Sequence, residues 1–174
     1  MNIENLPNST GAYALILRLD EQKRIRIGKL GEFDFPKGDY VYFGSAKGGG
    51  GIRARLGRHL IGSNQTYWHI DYLRQKASVV GFCTLVSSIE KKVPPVEKPL
   101  ECIWSNALSQ IVSMRVFAYG FGASDCVYKC PAHLFYISNR DWNIESLRTI
   151  MAYGAGIKPE HVVCTKDAVK WKRF

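Results

Sequence analysis

The sequence lacks a long apolar run. Its longest apolar-rich stretch covers residues 79–86, far short of the ~20 residues that a transmembrane helix needs. The first residues are polar and acidic, without the basic and apolar segments of a signal peptide. We therefore expect a soluble, intracellular protein of the cytoplasm, and its 174 residues suit one domain.

An evenly paired cysteine framework is lacking as well. The five cysteines are an odd number and do not resemble the paired framework of a small secreted protein, so we expect free thiols or a metal site. Cys126, Cys130 and His133 have a C-x3-C-x2-H spacing, and short Cys/His spacings with four ligands are typical of zinc sites. Cys102 is the candidate fourth ligand for a structural Zn²⁺. Because only three of the four residues are local, buried thiols are the favoured alternative.

Acidic residues are outnumbered, with 15 Asp and Glu against 24 Lys and Arg, which gives a net charge of +9. This balance favours a polyanionic partner, either nucleic acid or an acidic membrane surface. The alternative is a solvated basic face without a partner. The hydrophobic content of 46% and the charged content of 22% exclude a disordered chain or a fibre.

Apolar periodicity predicts both strands and helices. Alternation predicts strands over residues 11–17, 24–27, 40–43, 79–86 and 133–137, the first three joined by turns as an antiparallel sheet. Helical spacing predicts helices over residues 52–60, 68–76, 100–112 and 143–153, the last capped by Asn143. The glycine tract at 48–51 lacks the G-K-[ST] ending of a nucleotide P-loop, so we interpret it as a flexible loop.

Two predicted strands carry a tyrosine close to a glycine, as Gly11-Ala12-Tyr13 and Tyr42-Phe43-Gly44. The helix that follows has Arg55 and His59 on one face, and Glu101 stands near the start of a later helix. These residue types suit phosphodiester hydrolysis. A carboxylate holds a divalent metal that polarises the phosphate, an arginine neutralises phosphoryl charge, and a tyrosine or histidine moves the proton of the attacking water.

The two tripeptides resemble the signature tripeptides of the GIY-YIG endonuclease superfamily. Residues 55–59 are similar to the arginine helix of that family, with its R-x-x-x-H spacing, and Glu101 stands where its metal-binding glutamate is expected. Residues 42–46, 68–73 and 120–134 resemble a compact branch of uncharacterised domains, some of them fused to endonuclease III-type repair enzymes. The resemblance covers about residues 11–136.

The resemblance implies an α/β (α+β) fold in which helices flank a small antiparallel sheet. It also implies that Glu101 binds one Mg²⁺ or Mn²⁺ ion. Tyr13 and Tyr42 would face the scissile phosphate and Arg55 would contact it. A tyrosine would act as general base with assistance from His59.

The sequence departs from the family pattern in four places. Ala12 and Phe43 replace isoleucines of the tripeptides, at apolar positions, and an inserted hairpin around residues 24–35 separates the two tyrosines. The asparagine that many relatives carry after the metal glutamate has no clear counterpart, and Ser124 or Asp125 is the alternative. The resemblance places the loop that contains them near the active site.

Structural interpretations stand beside these functional ones. Tyr13 and Tyr42 are also suited to packing within a sheet, and the arginines of the first helix to a solvated face. His59 suits a cap on the last carbonyls of that helix. Glu101 suits the positive end of a helix dipole, and Glu97 is a competing carboxylate.

We therefore predict a metal-dependent endonuclease that cleaves single-stranded or structured DNA, since no element resembles a reader of the major groove. A non-catalytic nucleic-acid-binding module and an RNA nuclease are the alternatives, and the resemblance points to DNA repair. The nuclease domain is assigned to residues 1–138, with an extension over 139–174 packed on it. His69 is interpreted equally well as a site residue or a structural one. The predicted nucleic-acid contacts are Lys47, Arg53, Arg58, His69, Lys91 and Lys92.

Overall fold

A six-stranded antiparallel sheet with helices on both faces forms the centre of the protein, which confirms the predicted α+β fold class. The computed structural model describes residues 3–90, 98–138 and 142–166. Within these ranges no helix combines the length and the apolarity that crossing a bilayer requires. The strands are β1 (Gly11–Leu19), β2 (Lys23–Ile27), β3 (Gly31–Phe35), β4 (Gly38–Ala46), β5 (Ser78–Val86), β6 (Met114–Arg115), β7 (Leu134–Ile137) and β8 (Val163–Lys166). The α-helices are α1 (Gly51–Ile61), α2 (His69–Arg74), α3 (Ser87–Glu90), α4 (Leu100–Ser109) and α5 (Ile144–Gly154), and short 3-10 helices cover Ile3–Asn5, Gly28–Leu30 and Pro159–His161.

The strand order in the main sheet is β6-β7-β4-β1-β5-β8. Strand β1 is central, and its two neighbours are β4 and β5. The strand predicted at residues 24–27 does not join this sheet, because β2 pairs with β3 in a separate hairpin. Exposed and buried side chains alternate along β2, as expected of a strand with only one face against the core. The expected sheet of three successive strands is therefore wrong, whereas the inserted hairpin is confirmed.

Alternate residues of β1 enter two different cores. Tyr13, Leu15 and Leu17 pack with α1, α2 and the β2–β3 hairpin. Ala12, Ala14 and Ile16 pack on the other face, with α4 and α5. Successive side chains of a strand point to opposite faces of its sheet. This alternation puts the Tyr13 side chain on the face that helix α1 covers.

The described part of the C-terminal extension completes both the sheet and one core. Helix α5 begins after Asn143, whose side chain accepts hydrogen bonds from two backbone amides as predicted. It packs against Trp104 of α4, which donates from Nε1 to the carbonyl of Met151 at 2.9 Å. Strand β8 pairs with β5, directly opposing Cys83 and Cys164, which form a disulfide bond. The expectation of free thiols is therefore wrong for this pair, because strand register brings together residues that are far apart in the chain.

Candidate active site

A cavity of about 310 Å³ collects side chains from β1, β4, α1, the start of α4 and the loop before β7. The five residues predicted as catalytic come from four separate elements of the chain. All of them line this cavity: Tyr13, Tyr42, Arg55, His59 and Glu101.

Glycine allows Tyr13 to occupy its place in the cavity. In the β1–β4 register Tyr13 is opposite Gly44. A Cβ atom on Gly44 would lie 2.4 Å from both Cζ and the hydroxyl oxygen of Tyr13, so only a residue without a side chain leaves room for the ring. The Tyr42 ring lies on the same face, with its centroid 6.5 Å from that of Tyr13. The second tripeptide thus needs a glycine for a steric reason: a side chain at this position would overlap the tyrosine ring of the first tripeptide.

Tyr13 and His59 form a buried hydrogen-bonded pair. The Tyr13 hydroxyl lies 2.9 Å from His59 Nε2, and only 2% of His59 is exposed. Burial lowers the pKa of His59 to about 4, so the ring is neutral at pH 7 and can accept the Tyr13 proton at Nε2. Burial also raises the pKa of Tyr13 well above its ordinary value, and Tyr42 adds to this. Tyr13 is therefore a protonated phenol that shares a hydrogen bond with a neutral imidazole.

Arg55 brings positive charge to the cavity. Its guanidinium lies 4.0 Å from the centroid of the Trp68 ring, a cation–π contact that orients the group. Within the described ranges Arg55 makes no ion pair with a carboxylate. Burial raises the pKa of Tyr42, and the charge of Arg55 opposes that rise, so the two groups interact. A guanidinium without a carboxylate partner at a cavity wall is suited to binding a phosphate.

Two carboxylates face the same cavity. Glu101 lies in the first turn of α4, and Asp125 lies in the loop before β7. After burial and the charge of Asp71, both carboxylates contribute to raising the pKa of Tyr42. Neither pairs with a cation among the residues that the structure describes. Two carboxylates without counter-charges fit the oxygen ligands that Mg²⁺ or Mn²⁺ prefers. Of the two alternatives Ser124 and Asp125, only Asp125 lines the cavity.

Two of the predicted phosphate contacts on α1 have structural partners. Arg58 forms two hydrogen bonds to the Asp71 carboxylate, at 2.6 and 2.9 Å, and a third to the carbonyl of Gln65. Arg53 donates from Nε to the carbonyl of Leu6 at 2.9 Å. These bonds join α1 to α2 and to the chain before β1, so both arginines have structural partners. Their contact with DNA remains a prediction.

The other predicted contacts fall into three groups. His69 accepts a hydrogen bond at Nδ1 from the amide of Gly122, at 3.0 Å, which supports its structural interpretation as an anchor for the loop before β7. Lys47 is exposed just before the glycine tract and α1, where contact with a nucleic acid remains a prediction. Lys91 and Lys92 lie outside the described residues, as does the competing carboxylate Glu97.

Several cavity residues were missed by sequence reasoning. Trp68, Val127 and Tyr128 form a rim at the cavity, and each has at least a third of its surface exposed. The hydroxyl of Ser45 lines the cavity too, and it is buried without a hydrogen-bond partner in the described structure. The only sequence signal for the rim was the presence of aromatic and apolar residues at the start of a predicted helix, for Trp68, and in a predicted loop, for Val127 and Tyr128. Nothing in the local pattern distinguishes Ser45.

Three cysteines and one histidine gather beside the cavity. Their ligand atoms all lie within 4.8 Å of one another, so the group could hold a metal ion. The three cysteines are free of disulfide bonds, and three of the four residues also line the cavity. We refer to this group as the Cys₃His cluster: Cys102, Cys126, Cys130 and His133.

Comparison with known proteins gives one match. A family model described as "Domain of unknown function DUF123" matches residues 12–154. The match extends from β1 through the tyrosines, the Cys₃His cluster and the end of α5, and its description names no activity. No curated protein and no solved structure matches the chain.

Proposed function

The chain belongs to the DUF123 family, and we propose that it is a metal-dependent endonuclease that hydrolyses phosphodiester bonds in DNA. The observation that carries this proposal is the convergence in one cavity of Arg55, the Tyr13–His59 pair, Tyr42 and the carboxylate of Glu101. These groups match the three requirements of phosphodiester hydrolysis: charge neutralisation, proton transfer and a seat for a divalent cation. They are also the residues that carry the GIY-YIG resemblance.

Glu101 and Asp125 would hold the metal ion, because they are the two carboxylates at the cavity. When bound there, Mg²⁺ or Mn²⁺ supplies positive charge for the phosphoryl and leaving oxygens. Glu101 is in the first turn of α4, so the helix backbone fixes where its side chain begins. Asp125 is in a loop that His69 anchors through Gly122.

Arg55 would bind the phosphate group that is attacked. A guanidinium donates two parallel hydrogen bonds to phosphate oxygens, which fixes orientation as well as charge. Trp68 stacks on the guanidinium from one side and so limits the rotamers that Arg55 explores. The neighbouring Arg58 is held by Asp71 and Gln65, and we therefore assign phosphate binding to Arg55.

Tyr13 and His59 would remove the proton of the attacking water. As the water oxygen bonds to phosphorus, the bond between phosphorus and the leaving sugar oxygen would break, and that oxygen would take a proton from solvent. The water proton would pass to the Tyr13 hydroxyl, and the Tyr13 proton to His59 Nε2 over the observed 2.9 Å separation. The relay starts with a neutral histidine, which the burial of His59 secures at pH 7. Tyr42, with its own raised pKa, keeps its proton and can donate a hydrogen bond to a phosphate oxygen.

The rim of the cavity favours DNA with unpaired bases. Trp68 and Tyr128 are aromatic residues at the cavity with 40% and 37% of their surface exposed, and Val127 adds an apolar contact. Stacking of a base on an aromatic side chain stabilises single-stranded complexes by about 1–3 kcal/mol per base. A rim of this kind beside a phosphate site fits a strand whose bases are accessible, as in single-stranded or branched DNA.

Cleavage assays test the proposal. The full chain is incubated with single-stranded, duplex and branched DNA, with or without Mg²⁺ or Mn²⁺, and RNA of the same sequence is included. We expect metal-dependent cleavage of DNA that is reduced at least about a hundredfold in Glu101→Gln. Glu145→Gln is the matched control, because Glu145 also lies in the first turn of a helix but not at the cavity.

Three outcomes would contradict the proposal in different ways. If wild-type protein binds DNA but cuts none of the substrates, the non-catalytic module is the correct interpretation. If it cuts RNA alone, the DNA assignment is wrong. If Glu101→Gln cuts as well as Glu145→Gln, the metal assignment is wrong.

A further inference from the structure

We propose that the Cys₃His cluster binds one structural zinc ion, which joins the start of α4 to the loop before β7. The cluster draws its ligands from both segments, with Cys102 as the second residue of α4 and the other three ligands between β6 and β7. The sequence pattern favoured buried thiols over this site. Its support comes from the geometry, the chemistry and the packing of the folded chain.

The distances within the cluster are compatible with one shared ion. Cys102 Sγ lies 3.5 Å from Cys126 Sγ and 3.8 Å from His133 Nε2. A Zn–S bond of about 2.3 Å in a tetrahedral site corresponds to a sulfur–sulfur separation of roughly 3.8 Å. These two separations are close to that value, and all four ligand atoms lie within 4.8 Å of one another, so small side-chain adjustments would bring them onto one ion. The sulfur atoms of Cys102 and Cys126 are also too far apart for a disulfide, whose S–S bond measures about 2.05 Å.

The donor types favour zinc and a closed site. Three thiolates and one imidazole form one of the ligand sets of structural zinc, and four protein ligands leave no position for a substrate or water. The two carboxylates at the cavity have only oxygen donors, which suit Mg²⁺ or Mn²⁺ instead. The chemistry thus separates two metal sites: a thiolate site for structure and a carboxylate site for the reaction.

The apolar packing around the cluster is sparse, so a bound ion would add to its stability. Cys102, Cys130 and Ala123 form a small buried cluster of their own, with Cys126 against it, separate from the two large cores. A few thiols and one methyl group bury little apolar area. The loop at residues 116–133 contains no helix or strand. Phe121 anchors its first half in a large core, and His69 holds Gly122. Metal coordination would order the part of the loop that carries Cys126 and Cys130.

The ion would also position the carboxylates of the reaction, a step that rests on the proposed function. Glu101 directly precedes Cys102, and Asp125 directly precedes Cys126. Holding the two sulfur atoms on one ion fixes the two backbone segments relative to each other. The separation of the carboxylates that would hold the catalytic metal is then set by the zinc site, and Glu101 and Asp125 keep their positions before substrate binds.

Metal analysis of the purified full chain tests the zinc site without reference to activity. We expect about one zinc ion per chain by elemental mass spectrometry. After replacement by Co²⁺, we expect the visible absorption of tetrahedral cobalt and a near-ultraviolet charge-transfer band from thiolate ligands. Cys126→Ser, at the partly exposed position of the cluster, should lose most of the zinc. Cys164→Ser changes a cysteine outside the cluster and should keep it.

Several results would overturn the assignment. It is wrong if the wild-type chain contains no zinc after refolding with excess Zn²⁺ and takes up no Co²⁺. It is equally wrong if a different metal is bound stoichiometrically, or if mass spectrometry finds a Cys102–Cys126 disulfide. The Co²⁺ spectrum of the wild-type chain does not depend on whether any variant folds.

Hydrogen exchange separates the positioning role from the nuclease proposal. Removal of zinc should speed amide exchange in residues 117–132, while β1 exchanges as before. If zinc binds but wild type cuts no nucleic acid, the zinc site stands and the proposed function fails. If the wild-type protein cuts DNA but contains no zinc, the proposed function stands and the zinc site is wrong. If zinc is bound and its removal changes neither exchange nor cleavage, the positioning role is wrong.

Discussion

Replacing Gly44 by alanine is the most direct test of how the two strands build the site. The new Cβ atom would lie 2.4 Å from Cζ and from the hydroxyl oxygen of Tyr13. Contacts below about 3 Å do not persist in folded proteins, so the Tyr13 ring has to move. Since that ring is 2% exposed and packed in the core with Leu15 and Leu56, it cannot rotate freely, and its hydrogen bond to His59 is lost.

The structure allows a rough magnitude. Overpacking of a core costs about 1–3 kcal/mol, and the lost hydrogen bond contributes about 1 kcal/mol. For a chain of this size 1 kcal/mol corresponds to roughly 2–4 °C in Tm. We therefore expect Gly44→Ala to lower Tm by about 4–16 °C by calorimetry. It should also reduce cleavage, because the proton relay is displaced.

The chain contains its own control for this experiment. Gly48 and Gly49 have no atom within 4 Å of an added Cβ, so Gly48→Ala should change Tm and cleavage little. A second control removes the obstacle, because in a Tyr13→Leu background the cost of Gly44→Ala should fall by more than half. If Gly44→Ala has the Tm and the activity of Gly48→Ala, the steric argument for the tripeptides is refuted.

Three further substitutions test the charges and hydrogen bonds around the site. The pKa of His59 is about 4 in the folded state, against 6.5 for an exposed histidine. The free energy of unfolding is therefore highest above pH 6.5 and falls by up to about 3 kcal/mol as the pH drops towards 4. His59→Gln should flatten this pH dependence when unfolding by urea is measured across that range. Tyr13→Phe, which removes the hydroxyl bonded to His59, should cost about 1 kcal/mol of unfolding free energy and slow cleavage, because the relay lacks its first acceptor. Asp71 is 4% exposed and accepts two hydrogen bonds from Arg58, so Asp71→Asn should cost about 3 kcal/mol in urea unfolding.

Each of these expectations has a contradicting result. An unchanged pH profile in His59→Gln would mean that the buried imidazole does not titrate as its burial requires. Wild-type cleavage by Tyr13→Phe would remove the hydroxyl from the mechanism. For Asp71→Asn, unchanged stability together with weaker DNA binding would return Arg58 to the predicted phosphate contacts.

Many of the predicted elements were correct because their residues carry periodic patterns. The helices α1 and α5 and the strands β1, β4 and β5 lie within a few residues of the predicted ranges. Asn143 was predicted as a cap and acts as one, since capping depends on neighbours within three residues. The pairing of the strands was harder to predict from the sequence. Strand β2 has the alternation of a sheet strand, yet it pairs only with β3. Alternation reports that one face is buried but not which strand lies beside it.

The candidate site shows the same division. Its residue types and their order led to the five residues that line the cavity, because a resemblance in several motifs constrains more than any one motif. The separate roles of the two arginines could not be predicted from the sequence. Arg55 and Arg58 stand on the same short helix, and only the position of Asp71 distinguishes an arginine held in an ion pair from one that is available to a phosphate.

Local information thus accounts for the fold class, the basic charge, the caps and the tyrosine–glycine motifs, since each depends on residue type and on near neighbours in the chain. Contacts between distant segments required the folded chain. The disulfide between Cys83 and Cys164, the position of Asp125 at the cavity and the approach of Cys102 to His133 all depend on strand register and on helix packing. The physical reason is that such contacts are set by how the buried faces of the elements fit together, a property of the packed core that short sequence patterns do not encode.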